Sequence, residues 1–242
     1  RVLKGENMRE EYYFTDGRVI VAGNQHSVAD GKKADYLLYH NGKPIAVLEA
    51  KDNKHAVGGG IQQAIDYAQI LDLKFAYSSN GDAFLEHDFT TGKETELKMN
   101  EFPTEDELYQ RYLASKNYSD EEQKIVETSY YFDAYSYEPR YYQRIAIDRT
   151  VEAIAKGQQR VLIVMATGTG KTYTAFQIIH RLHKSGAKKK ILYLADRNIL
   201  IDQTMAQDFK PFKKFMTKIT SNGEGVDKID TSYEVYMALY HR

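Results

Sequence analysis

The sequence predicts an α/β protein with two domains, and three observations support this. Short β-rich runs joined by turn signals fill residues 1–118, whereas residues 161–183 give an apolar run, a glycine-rich loop and an amphipathic helix. The net charge changes from −5 over residues 1–118 to +8 over residues 136–242. With 242 residues and 42% apolar side chains, the chain can bury two cores. We therefore expect a mixed-sheet domain at 1–118, an acidic, tyrosine-rich linker at 119–137 and a parallel-sheet domain at 138–242.

The composition excludes several classes of protein. No window approaches the ~18 uncharged apolar residues of a membrane span, and the charged N-terminal segment is unlike a signal peptide. The absence of cysteine excludes disulfides and thiolate metal sites and fits a reducing compartment. We expect a cytoplasmic protein that does not bind a membrane. Because the chain starts with Arg1 and stops within a periodic segment, we also expect a piece of a longer chain.

The first domain is expected to open with a short charged helical segment and a strand at 18–22. Two β-rich runs follow at 34–40 and 45–51, and the sequence NGKP between them is a strong hairpin signal. The remaining elements are predicted as a helix at 61–71 after a glycine-rich turn, strands at 74–78 and 83–87, and a helix from the capping box at Thr104 and Glu107 to about residue 115.

Charged side chains mark the ends of the predicted hairpin. Asp35 opens its first strand, and Glu49 and Lys51 close the second. Two carboxylates on adjacent strands can hold a hard cation, and a nearby lysine can orient water or neutralise phosphate charge. This is chemistry for hydrolysing a phosphodiester, although the three residues could also be solvated charges at strand ends. An upstream carboxylate, Glu6 or Glu10, could join the site.

A shared cation makes a demand on the register of this hairpin. A regular two-residue turn at 41–42 would put Asp35 opposite Leu48 and turn Glu49 to the other face of the sheet. Asp35 and Glu49 can share an ion only if they lie opposite each other, because directly opposed residues share a face. We therefore predict a three-residue loop at 41–43 or an intervening β-bulge.

The second domain is organised around the sequence VLIVMATGTGKT at 161–172, read as a strand followed by a loop that can wrap a phosphate. Glycines let backbone N–H groups converge on phosphate oxygens, a lysine can reach the β- and γ-phosphates, and a threonine hydroxyl can bind Mg²⁺. A helix at 139–155 precedes this strand, and a helix at 172–183 and a strand at 191–195 complete a βαβ unit with it. The predicted nucleotide-binding residues of the loop are Thr167, Gly168, Thr169, Gly170, Lys171 and Thr172.

The ordered set Asp35, Glu49-Ala50-Lys51 and Gln63-x-x-x-Tyr67, with the stretches ADYLLY, EAKD and YSSNGD, resembles the nuclease domain of the R subunit of type I restriction–modification enzymes. The resemblance implies a restriction-endonuclease-like fold of the PD-(D/E)xK type. It also implies roles: Asp35 and Glu49 as Mg²⁺ ligands, Lys51 positioning the attacking water, and Gln63 and Tyr67 supporting cleavage and contacting the DNA backbone.

The second domain resembles the first RecA-like lobe of superfamily 2 helicases and translocases. By this resemblance Gln143 reads adenine, and Arg197 in the LADR stretch contacts the DNA backbone. From the residues alone, Gln143 could be a solvated side chain and Arg197 a surface ion-pair residue. The chain contains no Asp-Glu-x-His segment and no second lobe, so we expect it to bind ATP but not to hydrolyse it by itself.

Two functions of different class follow. The first is a Mg²⁺-dependent endonuclease joined to an ATP-driven DNA translocase, which acts on double-stranded DNA with the methyltransferase (modification) and specificity subunits of a prokaryotic restriction system. The alternative is a non-cutting DNA-binding or assembly module fused to a generic helicase lobe. The intact set of Asp35, Glu49 and Lys51 favours the first, because two facing carboxylates without a cation would repel phosphate.

Overall fold

The computed structural model describes residues 7–15, 19–22, 25–28, 31–133, 137–220 and 229–240. It divides into two units, Arg1–Tyr118 and Ser119–Arg242. Within the described ranges, no helix is long and apolar enough to cross a membrane.

The first unit is built on a six-stranded mixed sheet. The strands of the unit are β1 (Met8–Phe14), β2 (Val19–Ala22), β3 (Gln25–Val28), β4 (Lys32–His40), β5 (Lys43–Ala50), β6 (Phe75–Ser79), β7 (Ala83–Asp88) and β8 (Lys93–Lys98). The order in the large sheet is β1-β4-β5-β6-β7-β8, in which only β5 and β6 run parallel. Strands β2 and β3 pair separately as an antiparallel hairpin.

Two helices pack on this sheet, α1 (Ile61–Leu71) and α2 (Glu105–Lys116). A 3-10 turn at Val57–Gly60 leads into α1, whereas α2 starts at the predicted capping box, in which the Thr104 hydroxyl accepts from the Glu107 amide. Leu108 of α2 packs in one cluster with Leu38, Phe75 and Tyr77.

The 40–43 hairpin confirms one of the two predicted arrangements and excludes the other. His40 pairs with Lys43, so the loop has two residues, Asn41 at φ 48° and Gly42 at φ 74°, and the predicted three-residue loop is wrong. Asn-Gly suits a turn that needs positive φ at both positions. The register then shifts at a bulge between residues 38 and 39, where Ile45 is the extra residue on β5. Beyond the bulge, Tyr36 pairs with Leu48, which is the register that puts Asp35 opposite Glu49.

Three predictions for the first half of the chain need correction. Residues 8–14 of the charged segment form a strand, β1, because they pair with β4 on both sides of Glu11, and tertiary pairing overrides their weak helical pattern. Strand β8 is almost wholly exposed and charged, so no apolar alternation revealed it. Residues 119–137 are not simply a linker: they contain α3 (Asp120–Glu127), which opens with a capping box at Ser119 and Glu122.

The second unit contains a three-stranded parallel sheet. After α3 its elements are α4 (Tyr141–Ala155), α5 (Lys171–Lys184), β9 (Ile191–Ala195), α6 (Asn198–Ala206), β10 (Met216–Lys218) and β11 (Val235–Leu239), and the strand order is β10-β11-β9. The strand predicted at 161–165 does not form among the described residues. Leu162 is 87% exposed and Val164 86% exposed, and a strand requires a hydrogen-bonded neighbour.

Arg181 of α5 holds the predicted linker segment onto the second unit. Its guanidinium is fully buried and donates to the carbonyls of Val126 and Thr128 and to the carboxylate of Asp148. The Tyr130 hydroxyl donates to the same carboxylate at 2.6 Å. A buried arginine that donates to two carbonyls and a carboxylate keeps residues 126–130 packed against the rest of the unit.

Candidate functional site

The β-bulge brings Asp35 and Glu49 together on neighbouring strands. The register past the bulge pairs Tyr36 with Leu48, and its next step sets Asp35 against Glu49. The Asp35 amide donates to Glu49 Oε1 at 3.2 Å, and the Ala50 amide donates to Asp35 Oδ2 at 2.9 Å. The two carboxylates are thus fixed by backbone groups of each other's strands.

Glu49 is the buried member of the pair. Its side chain has no exposed surface, and its Oε2 accepts no hydrogen bond from the described residues. Burial raises its pKa to about 7, and the nearby charge of Asp35 acts in the same direction, while the Asp35 amide and Lys51 oppose it. A buried carboxylate oxygen without a donor is a ready ligand for a hard cation, so this pair of residues fits Mg²⁺.

A chain of polar contacts links Lys51 to helix α1. Lys51 Nζ lies 4.0 Å from Glu49 Oε2 and donates to Gln63 Oε1 at 3.1 Å. Gln63 Nε2 in turn donates to the Tyr67 hydroxyl at 3.1 Å, one helical turn further on. The Tyr67 ring meets Phe14 edge to face at 5.1 Å. All five predicted nuclease residues therefore lie in one cluster, with the lysine ammonium held beside the carboxylates.

Gly60 and Ser78 also shape this cluster, and sequence reasoning missed both. The Gly60 amide donates to Ser78 Oγ at 3.0 Å, and that hydroxyl donates to the Val57 carbonyl at 2.8 Å. A Cβ at position 60 would lie 3.0 Å from Ser78 Oγ and 3.1 Å from both Glu49 Cβ and Lys51 Cε. The glycine run before α1 was the signal, because consecutive glycines often mark a close approach of backbone to a site.

Of the two upstream carboxylates, Glu10 does not join the cluster. Glu10 lies opposite Tyr36, so strand alternation puts its side chain on the face of the sheet away from Asp35. Glu6 lies outside the described residues.

In the second unit, residues 167–170 form a turn that leads directly into α5. Gly168 and Gly170 have φ of 79° and 82°, a conformation that glycine adopts at little cost, and Gly170 caps the helix. Lys171 is exposed and donates to the carbonyls of Ala166 at 3.1 Å and Met165 at 3.4 Å. An anion at this helix start would compete with those carbonyls for the lysine.

Other loop groups are held locally. The Thr169 hydroxyl donates to the Ala166 carbonyl at 2.7 Å, and Thr172 is half-buried in the first turn of α5. Thr167 is exposed at the turn. The turn and the helix start that the sequence predicted are therefore present, but the strand expected before them is not.

Gln143 lies against this loop. Its buried side chain donates to the Thr169 carbonyl at 2.8 Å and accepts from the Arg140 amide at 2.9 Å. A primary amide has two donor hydrogens and two acceptor lone pairs, and the contacts with described residues use one of each. The predicted adenine contact remains a prediction, and the structure shows the glutamine supporting the loop.

Arg197 sits at the start of α6, next to the end of β9. It is exposed, and its Nε lies 3.8 Å from a carboxylate oxygen of Asp196. Its predicted contact with the DNA backbone remains a prediction.

Comparisons with known proteins address both units. A sequence family described as "Type I restriction enzyme R protein N terminus" matches residues 20–95, and another, described as "Type III restriction enzyme, res subunit", matches residues 136–242. The EcoAI type I restriction enzyme endonuclease subunit of Escherichia coli is 48% identical over 238 residues, which is 96% of this chain. The chain belongs to the family of type I restriction enzyme R subunits.

Further relatives agree with this assignment to the R-subunit family. The EcoKI endonuclease subunit of Escherichia coli strain K12 is 29% identical over 223 residues, covering 71% of this chain and 18% of that protein. A fragment structure assigned to an HsdR subunit from Vibrio vulnificus YJ016 superposes with a TM-score of 0.76 at 42% identity, covering 96% of this chain and 42% of that one. The chain spans 29% of the length of the EcoAI subunit.

Proposed function

We propose that this chain carries the DNA-cleaving centre and the first ATP-binding lobe of a type I restriction endonuclease. The nuclease centre would be Asp35, Glu49 and Lys51 on a restriction-endonuclease-like fold, with Mg²⁺ as its cofactor. The observation that carries the proposal is the pairing of Asp35 with the buried Glu49 beside the Lys51 ammonium, where Glu49 Oε2 accepts no hydrogen bond from the described residues.

Each residue of the cluster has a distinct task in this proposal. Asp35 and Glu49 would hold Mg²⁺, which when bound polarises a phosphoryl oxygen and lowers the pKa of water. Lys51 presents an ammonium that orients the attacking water and offsets the charge that develops on the phosphate. Gln63 accepts from Lys51 and donates to Tyr67, so the two residues fix the direction of the ammonium.

The second unit would bind ATP in the first lobe of a RecA-like motor. Backbone amides of residues 167–170 and Lys171 would hold the phosphates, Thr172 would bind the nucleotide's Mg²⁺, and Gln143 would read adenine. The positive helix start and the two glycines at left-handed φ support this use. Double-stranded DNA would be the substrate, with Arg197 on its backbone, and the modification and specificity subunits of the same system would be partners.

The cluster argues against the alternative of a non-cutting binding module. Such a module gains nothing from a buried carboxylate, because burial without a cation penalises its charge and the charge repels phosphate. A pairing in which Glu49 faced away from Asp35 would have favoured that alternative. The observed backbone hydrogen bonds join the two residues instead.

The test is DNA cleavage by the complete R subunit assembled with its modification and specificity subunits. Asp35→Asn should lower the cleavage rate by about 10²–10³-fold or more, because it removes one of two carboxylates that would hold the ion, while ATP binding persists. The matched control is Asp66→Asn, which changes an exposed carboxylate of α1 bonded only to Gln62 among the contacts seen here. Normal cleavage by Asp35→Asn would refute the site.

A further inference from the structure

A second group of potential metal ligands lies in the first unit, where β4 ends and α2 begins. One nitrogen of His40 and one carboxylate oxygen each from Glu105 and Asp106 lie within 4.8 Å of one another. His40 Nδ1 is 3.7 Å from Asp106 Oδ1. None of these residues takes part in the nuclease cluster.

Two of the three groups are buried without a hydrogen-bond partner. His40 is only 8% exposed, and both its Nδ1 and Glu105 Oε2 are enclosed atoms that make no hydrogen bond among the described residues. An imidazole nitrogen and a carboxylate oxygen left unpaired at one place are costly unless something else satisfies them. Acidic residues in a first helical turn are common because they complement the helix dipole, but that accounts for exposed Asp106 and not for two enclosed, unpaired atoms.

The neighbours of His40 fix its ring in the orientation a metal ligand needs. Tyr109 of α2 stacks on the imidazole, with centroids 4.0 Å apart and 15° between planes. The Asn41 amide nitrogen Nδ2 lies 3.0 Å from the other ring nitrogen, Nε2, and donates to it in this arrangement. Metal binding at Nδ1 needs the proton on Nε2, and a half-turn of the Asn41 amide brings its oxygen to that nitrogen. Nε2–H then donates to Asn41 and Nδ1 keeps a free lone pair, which is the usual support for a metal-bound histidine.

We propose that His40, Glu105 and Asp106 form a metal site for Zn²⁺, which fastens the β4–β5 turn to the start of α2. Imidazole with carboxylates favours Zn²⁺ over Mg²⁺, which prefers oxygen ligands only. Ligand atoms of a tetrahedral Zn²⁺ lie about 3.4 Å apart. Binding would therefore draw atoms that are up to 4.8 Å apart inward by about 1.4 Å, and the partly exposed Glu105 and the exposed Asp106 can make that movement. The capping box of α2 uses Glu107, so the cap survives metal binding.

This site is separate from the proposed nuclease centre. His40 lies five residues from Asp35 along β4, roughly 16 Å in an extended strand, and the odd spacing sends the two side chains to opposite faces of the sheet. Helix α2 contributes Leu108 to the core on the His40 side, whereas Gly60, which leads into α1, contacts Glu49. The proposal therefore stands whether or not the chain cuts DNA.

The experiment is Zn²⁺ titration of the metal-free 242-residue chain by calorimetry, with Glu49→Gln present throughout so that the nuclease carboxylates cannot take the ion. One Zn²⁺ per chain should bind, the thermal midpoint should rise, and excess Mg²⁺ should not displace the ion. Adding His40→Gln or Glu105→Gln should weaken binding at least tenfold. Adding Asp120→Asn should change nothing, because Asp120 holds the equivalent first-turn position after the capping box of α3 without a histidine.

Co²⁺ gives an independent readout. Its visible absorption should report a nitrogen ligand in the Glu49→Gln chain and lose that signature with His40→Gln. If His40→Gln fails to fold by circular dichroism, Glu105→Gln decides, since it keeps the shape of a partly exposed side chain. Failure of the Glu49→Gln chain to bind Zn²⁺, or equal binding by the Glu105→Gln chain, would overturn the proposal.

Discussion

The two candidate sites are held in place in different ways. The nuclease cluster lies on paired strands, with Glu49 buried and each carboxylate bonded to the partner strand's backbone. The phosphate loop lies at the surface, and its Lys171 is bonded to carbonyls of the loop itself. A site built on a sheet is organised before its ligand binds, but burying a charged group there lowers the stability of the ligand-free fold. A surface loop has almost no such penalty, but it must rearrange when phosphate binds.

Lys171→Ala gives the sharpest contrast between the two sites. It should lower ATP-driven translocation by the complete subunit by about 10²-fold or more, and cleavage that depends on translocation should fall with it. Folding should be unaffected, because the lysine is exposed and its partners are carbonyls that water can satisfy. Translocation is measured by triplex displacement and stability by urea unfolding. The control is Lys184→Ala at the other end of α5. A clear loss of stability in Lys171→Ala would mean that the lysine also holds the loop in the folded chain.

Glu49→Gln should show the cost of the buried carboxylate. Because the folded pKa is raised from 4.5 to about 7, the protonated carboxyl stabilises the cation-free chain fully below pH 4.5, and this contribution is lost as pH rises through about 7. The variant should therefore be more stable than the parent above pH 7, by about 3 kcal/mol at most, and should lose that part of the pH dependence. Urea unfolding in EDTA at several pH values measures both.

The matched control for this pH effect is Glu96→Gln, which changes an exposed glutamate of β8. Mg²⁺ favours the ionised carboxylate, so Mg²⁺ affinity of the parent chain should rise with pH up to about 7 and then level off. Glu49→Gln should bind Mg²⁺ weakly at every pH. If the variant is no more stable than the parent above pH 7, burial of the ionised Glu49 carboxylate does not lower the free energy of unfolding.

Sequence reasoning predicted the relative placement of Asp35 and Glu49 better than the elements around them. The chemistry of Asp35 and Glu49 required a shared face, and that requirement predicted a three-residue loop or a bulge, of which the bulge is observed. By contrast, β1 was missed because its own residues give no strand signal and only its pairing with β4 makes it a strand. Strand β8 was missed because it has charged side chains on both faces. Alternation of apolar and polar residues reflects burial of one face of a strand, so it does not identify strands whose side chains are mostly exposed.

The second unit shows the opposite failure. The run VLIVM has strong strand propensity, and yet residues 161–165 pair with no described strand and lie largely exposed. Propensity predicts what a segment can do, but a strand also needs a neighbour. The contacts of Gly60 and Gln143 could not be predicted from the sequence for a related reason, because they depend on which segments meet in space.

Gly60→Ala tests how tightly the nuclease cluster is packed. The added methyl would press on Ser78, Glu49 and Lys51 at 3.0–3.1 Å, and the backbone of a buried strand cannot yield easily. Displacement of Lys51 by a fraction of an ångström should lower cleavage by about 10- to 100-fold, with ATP binding unchanged. The control is Gly31→Ala, where a Cβ meets nothing within 4 Å. Equal cleavage by both variants would show that the cluster tolerates movement.

The smallest expected effect separates two glycines of the phosphate loop. Gly168 and Gly170 have nearly the same φ, 79° and 82°, so alanine imposes similar backbone strain at both positions. A Cβ at 168 meets nothing within 4 Å, whereas one at 170 would lie 2.3 Å from Gln143 Nε2 and push the amide off the Thr169 carbonyl. Loss of one hydrogen bond should make Gly170→Ala bind ATP about three- to tenfold more weakly than Gly168→Ala. Titration of the 242-residue chain with a fluorescent ATP analogue measures the difference, and equal affinities would mean that Gln143 contributes nothing to the shape of the loop.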